Sequence, residues 1–299
     1  VANVNPLYTE RELQHQLTDC EAKAIVIFAN SCHIMEKVKS KTQVKHVITT
    51  SIGDLLGFPK SLIVNFVIKN VKKMVPAWDI PGSVRFNDAL AIADESKFNF
   101  VDLTQDDLAF LQYTGGTTGV AKGAELLHKN IVSNMIQARA WLKPTISKNE
   151  IIITPLPLYH IFSLTANCFV FSSIGAHNIL ITNPRDMPGF VKELKKYKFT
   201  AFTGVNTLFN GLMNTPGFDE VDFSKLKLSL GGGMAVQRAV AERWKEITGT
   251  PLIEAYGLTE TSPAACMNPM DLPAYNGMIG IPIPSTVVKI LDDDGVEVK

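Results

Sequence analysis

The chain has 299 residues, 46% of them hydrophobic, enough for a sizeable core and, on length, for about two domains. Its 29 basic and 29 acidic residues give a formal net charge of zero, which excludes the basic excess typical of a general nucleic-acid binder. Cys20, Cys32, Cys168 and Cys266 show no C-x-x-C spacing and the six histidines do not cluster, which argues against structural zinc and a disulfide framework and for a reducing, cytoplasmic setting.

The opening "VANVNPLYTE" lacks a Met and a basic-then-apolar leader, so the sequence reads as an internal piece of a longer chain. In "TERELQHQL", Thr9 lies three residues before Glu12, the spacing of a capping box, and predicts a helix start. "AKAIVIFA" predicts a buried strand and "HVITT" a second strand. "SLIVNFVIKNVKKMV" projects as an amphipathic helix with Ile63, Val64, Val67, Ile68, Val71, Met74 and Val75 on one face and Lys69, Lys72 and Lys73 on the other. Such a basic helix either solvates its charged face on the protein surface, the commoner case, or lies on a membrane.

Farther on, "LAFLQYT" reads as strand and "NIVSNMIQARAWL" as helix. Residues 151–184 contain no charged side chain, yet Pro155, Pro157, His160, Asn167, Gly175 and Asn178 interrupt them. A membrane-spanning helix needs about 20 mostly apolar residues. The expected reading is a strand, a loop, a buried helix and another strand. "PGFVKELKKYK" predicts a helix, "FTAFTGV" a strand, "LKLSLGGG" a strand, "AVQRAVAERWKEI" a helix and "PLIEAYG" a strand. This alternation implies α/β layers with largely parallel sheets flanked by helices. The tail "STVVKILDDDGVEV" departs from it, since two short runs flank Asp294-Gly295, a hairpin signal.

Ligands in such sheets sit beyond the carboxyl ends of the strands. "LQYTGGTTGVAKGA", residues 111–124, lies at one of these ends. Its glycines allow close backbone approach to an anion, the hydroxyls of Thr114, Thr117 and Thr118 can donate to phosphate oxygens, and Lys122 supplies positive charge. The Walker spacing does not fit, because Ala121 precedes Lys122. On spacing alone a polyphosphate loop and an exposed Gly/Thr turn with a solvated lysine are equal readings. "EAYGLTETSP" ends a second strand with an aromatic face at Tyr256, close approach at Gly257, a hydroxyl at Thr259 and a carboxylate at Glu260, parts suited to a purine, a phosphate and magnesium.

"YTGGTTGVAKGA" and "YGLTET" resemble the phosphate loop and adenine-side motif of the adenylate-forming superfamily. "LPLYHIFSLTANC", "LSLGGGMAVQ", "IGIPIPST" and "NVNPLYTERELQHQL" are similar to the long-chain fatty acid–CoA ligases of bacteria, and the resemblance covers essentially the whole chain. It implies that fatty acid and magnesium-ATP form an acyl-adenylate, that pyrophosphate leaves, and that coenzyme A then displaces AMP. Tyr113, Thr114, Gly115, Gly116, Thr117, Thr118, Gly119, Lys122 and Gly123 would hold the outer phosphates, and Gly231, Gly232 and Gly233 would line the adenine pocket. Tyr256 would stack on adenine with Gly257 beside it, Thr259 would contact the α-phosphate, and Glu260 would ligate magnesium. His160 would sit by the reacting carboxylate, and Gly204 and Val205 would border the acyl site, although a backbone-bonded core histidine and ordinary helix-on-sheet packing are the plain structural readings of these last positions.

The resemblance further implies a first α/β subdomain over residues 1–108, a second with both sites over 109–280, and the start of a β-barrel subdomain over 281–299. A small C-terminal domain finds no match in these residues, so the chain alone is expected to form no acyl-CoA. Expected partners are fatty acid, ATP and coenzyme A, with no nucleic acid, in the cytoplasm or against the inner face of its membrane. An enzyme activating an aryl or amino acid, and a non-catalytic nucleotide- or lipid-binding module, stay open as alternatives.

Overall fold

Thr9 opens the first helix as its spacing predicts. Its side chain accepts from the Glu12 amide while Glu12 reaches back to the Thr9 amide, 2.8 Å away, and α1 follows over Glu10–Asp19. The computed structural model describes residues 1–115 and 120–298. They form two compact units, residues 1–104 with 110–124, and residues 105–109 with 125–299.

In the first unit β1 (Ala24–Phe28) leads to α2 (Cys32–Val38) and β2 (His46–Thr50). After α3 (Lys60–Phe66) come β3 (Val84–Arg85) and α4 (Phe86–Ala91). β1, β2 and β3 pair in parallel, in that order. Leu13 and Leu17 of α1 and Cys32, Met35 and Val38 of α2 bury one face of this sheet against Ile25, Ile27 and Val47. The strand expected to be buried is covered on that face alone: Val26 and Phe28, alternating with Ile25 and Ile27, are 58% and 46% exposed. The amphipathic segment is helical and lies at the surface with its lysines exposed, as its favoured reading expects. α3 passes into a π-helical turn at Val67–Val71, and neither stretch contains a buried residue. Its apolar face has no core beneath it.

β4 (Leu108–Thr114) and β5 (Lys122–Leu127) pair with each other, and the division between the units falls within both. The second unit continues with α5 (His128–Leu142), β6 (Ile151–Thr154), a short α6 (Ile161–Ser163) that runs into a π-helix at Leu164–Val170, and β7 (His177–Leu180). It goes on with α7 (Met187–Leu194), β8 (Ala201–Gly204), α8 (Asn206–Met213), β9 (Leu228–Gly231), α9 (Arg238–Thr248), β10 (Leu252–Gly257), β11 (Ala264–Met267) and β12 (Ile281–Pro282). The charge-free stretch is thus a strand, a loop, a buried helical segment and a strand, as its prolines and polar residues indicate. Among the described residues no helix is long and apolar enough to cross a membrane.

Among the described residues the sheet order is β12-β11-β10-β9-β8-β6-β7. The strands from β10 to β7 are parallel, and β11 and β12 add antiparallel pairs at one end. Helices cover both faces, which explains the continuous apolar runs of these strands. Ile153, Phe202 and Leu252 point into a core with α7, α8 and α9, where Trp244 meets Phe209 with ring centroids 4.7 Å apart and donates its indole N–H to Ser229. Their neighbours Ile152, Ala201 and Ile253 point the other way, into a core with α5 and the π-helix. Asn134 of α5 holds Ala264 of β11 by both backbone polar groups, at 2.8 and 3.1 Å.

A buried polar knot crosses the sheet near the ends of β6 and β8. Asn167 donates to the hydroxyls of Thr154 at 3.1 Å and Thr203 at 2.8 Å, and Thr154 donates onward to Asn178 of β7 at 2.9 Å. The predicted hairpin at the tail is reduced to one antiparallel bridge, Leu291 with Glu297, around a turn closed by Asp292.

Candidate functional site

The register of the second unit aligns its strand ends. Gly204 of β8 pairs with Gly231 of β9, and Gly231 pairs with Glu254 of β10. The residues that follow these positions emerge along one edge of the sheet. There the chain turns away from β9 through Gly232 and Gly233, and the Gly232 amide donates to the Gly204 carbonyl at 3.2 Å. Close packing accounts for the glycines. A Cβ on Gly231 would stand 2.6 Å from Leu252 Cδ2, and one on Gly232 would stand 3.2 Å from both the Ala255 carbonyl and the Phe162 ring. Gly233 adopts φ +76°, with Val205 beside it. A Cβ on Gly257 would run into the Pro263 carbonyl, where the chain doubles back into β11.

Gly204, Val205, Gly231, Gly232, Gly233, Tyr256 and Gly257 therefore share one shelf. Tyr256 is 43% exposed. Thr259 and Glu260 follow on a single 3-10 turn, Thr259–Thr261, pinned where the Thr165 hydroxyl donates to the Ser262 carbonyl at 3.1 Å. Glu260 is exposed.

His160 joins the shelf through its neighbour. It caps α6, its Nδ1 accepting from the Phe162 amide at 3.3 Å, and the Phe162 ring is the one that lies against Gly232. A ring whose Nδ1 accepts carries its neutral-state proton on Nε2. Desolvation by the surrounding protein lowers the His160 pKa from its ordinary value, so the ring is neutral at pH 7. The histidine is bonded to backbone yet exposed, so it is no core residue. α8, by contrast, is ordinary helix-on-sheet packing: Leu208, Phe209, Leu212 and Met213 are buried, and a Cβ on Gly204 would stand 2.9 Å from the Phe209 ring.

Tyr113, Thr114, Gly115, Lys122 and Gly123 belong to the first unit. Gly116, Thr117, Thr118 and Gly119 lie outside the described residues. The stem of this loop is fastened to α1. Tyr113 donates its hydroxyl to Asp19 at 2.5 Å, and His15 donates from Nε2 to the Ala121 carbonyl at 2.8 Å. Burial, and next the bond to the Asp19 carboxylate, push the Tyr113 pKa up, so the phenol stays protonated as the donor. The Tyr113 ring fills the space beside Gly123, 3.1 Å from where a Cβ would be, whereas Gly115 has open space around it and Lys122 is exposed.

Sequence reasoning missed the residues that hold these parts. Asp19 and His15 are 94 and 106 residues from their partners, and nothing in a helix pattern signals that. Glu254 did leave a trace, as a carboxylate inside an apolar strand run.

A parallel sheet covered by helices on both faces, with glycine turns and an exposed aromatic residue at its strand ends, is the architecture of a nucleotide-handling α/β enzyme. Residues 1–299 match the AMP-binding enzyme family, and the chain belongs to it. It is 54% identical over 300 residues to the long-chain-fatty-acid–CoA ligase of Yersinia pestis, covering 100% of this chain and 53% of that protein. The anthranilate CoA ligase AuaEII in complex with anthranoyl-AMP superposes with a TM-score of 0.82 at 20% identity, over 100% of this chain and 52% of that one. ATP-bound MatB from Rhodopseudomonas palustris gives 0.78 at 25% identity, over 99% and 52%. The fold is thus the α/β fold of adenylate-forming enzymes, with a mixed sheet toward the C-terminal end, as the motifs imply. The chain spans about half the length of the curated relatives it matches.

Proposed function

We propose that the protein to which these residues belong activates long-chain fatty acids: it joins the carboxylate to the α-phosphorus of ATP, releases pyrophosphate, and transfers the acyl group from AMP to the thiol of coenzyme A. The observation that carries this reading is the shelf of Gly204, Gly231–Gly233, Tyr256 and Gly257 at neighbouring strand ends, within a chain 54% identical over its length to a long-chain-fatty-acid–CoA ligase.

In this reading Tyr256 offers its ring to adenine, and Gly231, Gly232 and Gly233 let the base approach the backbone. Thr259 donates to the α-phosphate. Tyr113, Thr114, Gly115 and Gly123, with Lys122 as the charge, hold the outer phosphates together with Gly116, Thr117, Thr118 and Gly119. The neutral His160 donates from Nε2 to the fatty acid carboxylate and orients it beyond Gly204 and Val205. A fatty acid carboxylate is ionised at neutral pH, so the step needs alignment and charge stabilisation and no general base. Among the described residues no three metal-ligating side chains cluster. Magnesium is commonly held by one or two carboxylates together with substrate phosphates, and in this reading the exposed Glu260 supplies one. When bound, the ion offsets phosphate charge.

The division at residues 108 and 280 belongs to the same proposal, and so does membrane contact. Leu55, Phe58, Leu62, Ile63 and Phe66 are all more than half exposed, and Lys60, Lys69, Lys72 and Lys73 are exposed around them. Apolar side chains with basic neighbours suit an anionic bilayer surface, where each lysine contributes about 1 kcal/mol. Co-sedimentation with anionic vesicles, abolished by the triple substitution of Lys69, Lys72 and Lys73 to Glu, is the expected result; wild-type protein left in the supernatant at low salt rejects the contact.

The main test uses the complete protein with ATP, magnesium, coenzyme A and acids of graded length. Pyrophosphate and acyl-CoA, read by mass spectrometry, are expected to form together and most efficiently with long acids. Formation of ADP in place of AMP, or a preference for aryl acids, overturns the reading.

A further inference from the structure

We infer that Glu254 is a positioning residue of the nucleotide shelf: its buried carboxylate holds the returning loop that fixes Gly231, Gly232 and Gly233. The inference rests on the proposed nucleotide site for its consequence, and on the following geometry for itself. Glu254 is 7% exposed, on a strand otherwise apolar inward, and its Oε1 accepts the Val236 amide at 2.9 Å. The Val236 carbonyl is held as well, by the hydroxyl of Tyr275 at 2.6 Å. The next amide, Gln237, donates to Asn206 Oδ1 at 2.9 Å. Three side chains from β10, α8 and the segment after β11 thus fasten two consecutive residues of one loop.

That loop cannot move without moving the glycines. The Val236 side chain packs against Gly231, 2.8 Å from where a Cβ would lie, and only Gly232 to Met234 and Ala235 separate them. Burial pushes the Glu254 carboxyl up while the Val236 N–H opposes it, so a buried acid is kept at a place where an apolar side chain would pack more simply. Val236 is itself 2% exposed, so its amide has no water to turn to if the acceptor is lost.

Two replacements separate the acceptor from the charge. Glu254→Gln keeps a carbonyl oxygen, and Glu254→Ala removes it. Hydrogen exchange at the Val236 amide and calorimetric binding of AMP are read on both, with Thr250→Ala as a control that removes a buried hydroxyl bonded to the Leu226 carbonyl, away from the loop. Glu254→Ala is expected to expose the Val236 amide to exchange and to weaken AMP binding about tenfold, Glu254→Gln to retain the protection and stay within about threefold, and Thr250→Ala to leave AMP binding unchanged. Tyr275→Phe, which removes the second anchor, is expected to fall between them. Val236 protection unchanged in Glu254→Ala overturns the inference, as does an equal loss of AMP binding in Thr250→Ala. A wild-type chain that binds no AMP, with Val236 exchange altered as expected, supports the anchor and overturns the nucleotide reading instead.

Discussion

Two glycine-rich segments follow strands in this chain, and their described residues use glycine for different reasons. At Gly231 and Gly232 the residues are glycine because the protein crowds them: Leu252, Val236, Phe162 and the Ala255 carbonyl occupy the space a side chain would need, and Gly233 turns the chain at φ +76°. At the stem of residues 113–123 the crowding is confined to Gly123, which the Tyr113 ring covers, while Gly115 faces open space. One turn is shaped from within by packing. The other is held at its feet by Asp19 and His15, with Lys122 exposed. Similar composition thus conceals opposite constraints.

Crowding is most severe at Gly257, at the end of β10 beside the packed turn, whose Cβ would meet the Pro263 backbone, which cannot rotate away. Gly257→Ala is expected to cost about 3 kcal/mol or more, at the top of the overpacking range, read by urea denaturation. Gly231→Ala meets flexible side chains at 2.6 and 2.8 Å and is expected to cost about 1–3 kcal/mol in the same experiment. Equal stability of Gly231→Ala with wild type would place both turns in one class. Next comes Lys122→Ala, which alters charge and leaves packing alone. ATP binding is expected to weaken about tenfold and AMP binding by less than about threefold in calorimetry, with equal losses rejecting the outer-phosphate assignment.

His160 gives the packed shelf a pH signature. Its folded pKa is lowered, so the unfolded chain binds the proton more readily. The stability it contributes is complete above the unfolded value near 6.5 and declines as pH falls from there through the folded pKa. His160→Ala should flatten that part of the stability–pH curve, and an unchanged slope would assign it elsewhere. The smallest effect is expected at Gly115, where an added Cβ meets no atom of the described residues within 4 Å: Gly115→Ala should shift stability by no more than about 0.5 kcal/mol.

Local and periodic features of this fold were legible in the sequence. Thr9 and Glu12 are neighbours along the chain, so their capping box could be read directly. The apolar runs from Ile151 to Gly257 follow from a sheet covered on both faces, and the strand-end motifs from the same alternation. Hydrophobicity alone does not say how many faces of a strand are covered, and Val26 and Phe28 show the limit. The same blindness applies to residues 60–71, where a correct helical period says nothing about whether a core lies beneath it. The anchors of the site were least legible, because Glu254, Asp19 and His15 act through partners that only the folded chain brings close.

The knot around Asn167 has a direction as well as a shape. The amide gives its protons to Thr154 and Thr203, Thr203 returns its own to Asn167 Oδ1, and Thr154 passes its own to Asn178, so hydrogens run from Asn167 across β6 to β7. An aspartate at 167 would match the outline and reverse that sense, leaving hydroxyls to compete for roles already assigned. Positions 154, 167, 178 and 203 therefore read as one word: a serine can stand in for either threonine, but a change that removes a donor or an acceptor at one position leaves a buried partner unpaired at another.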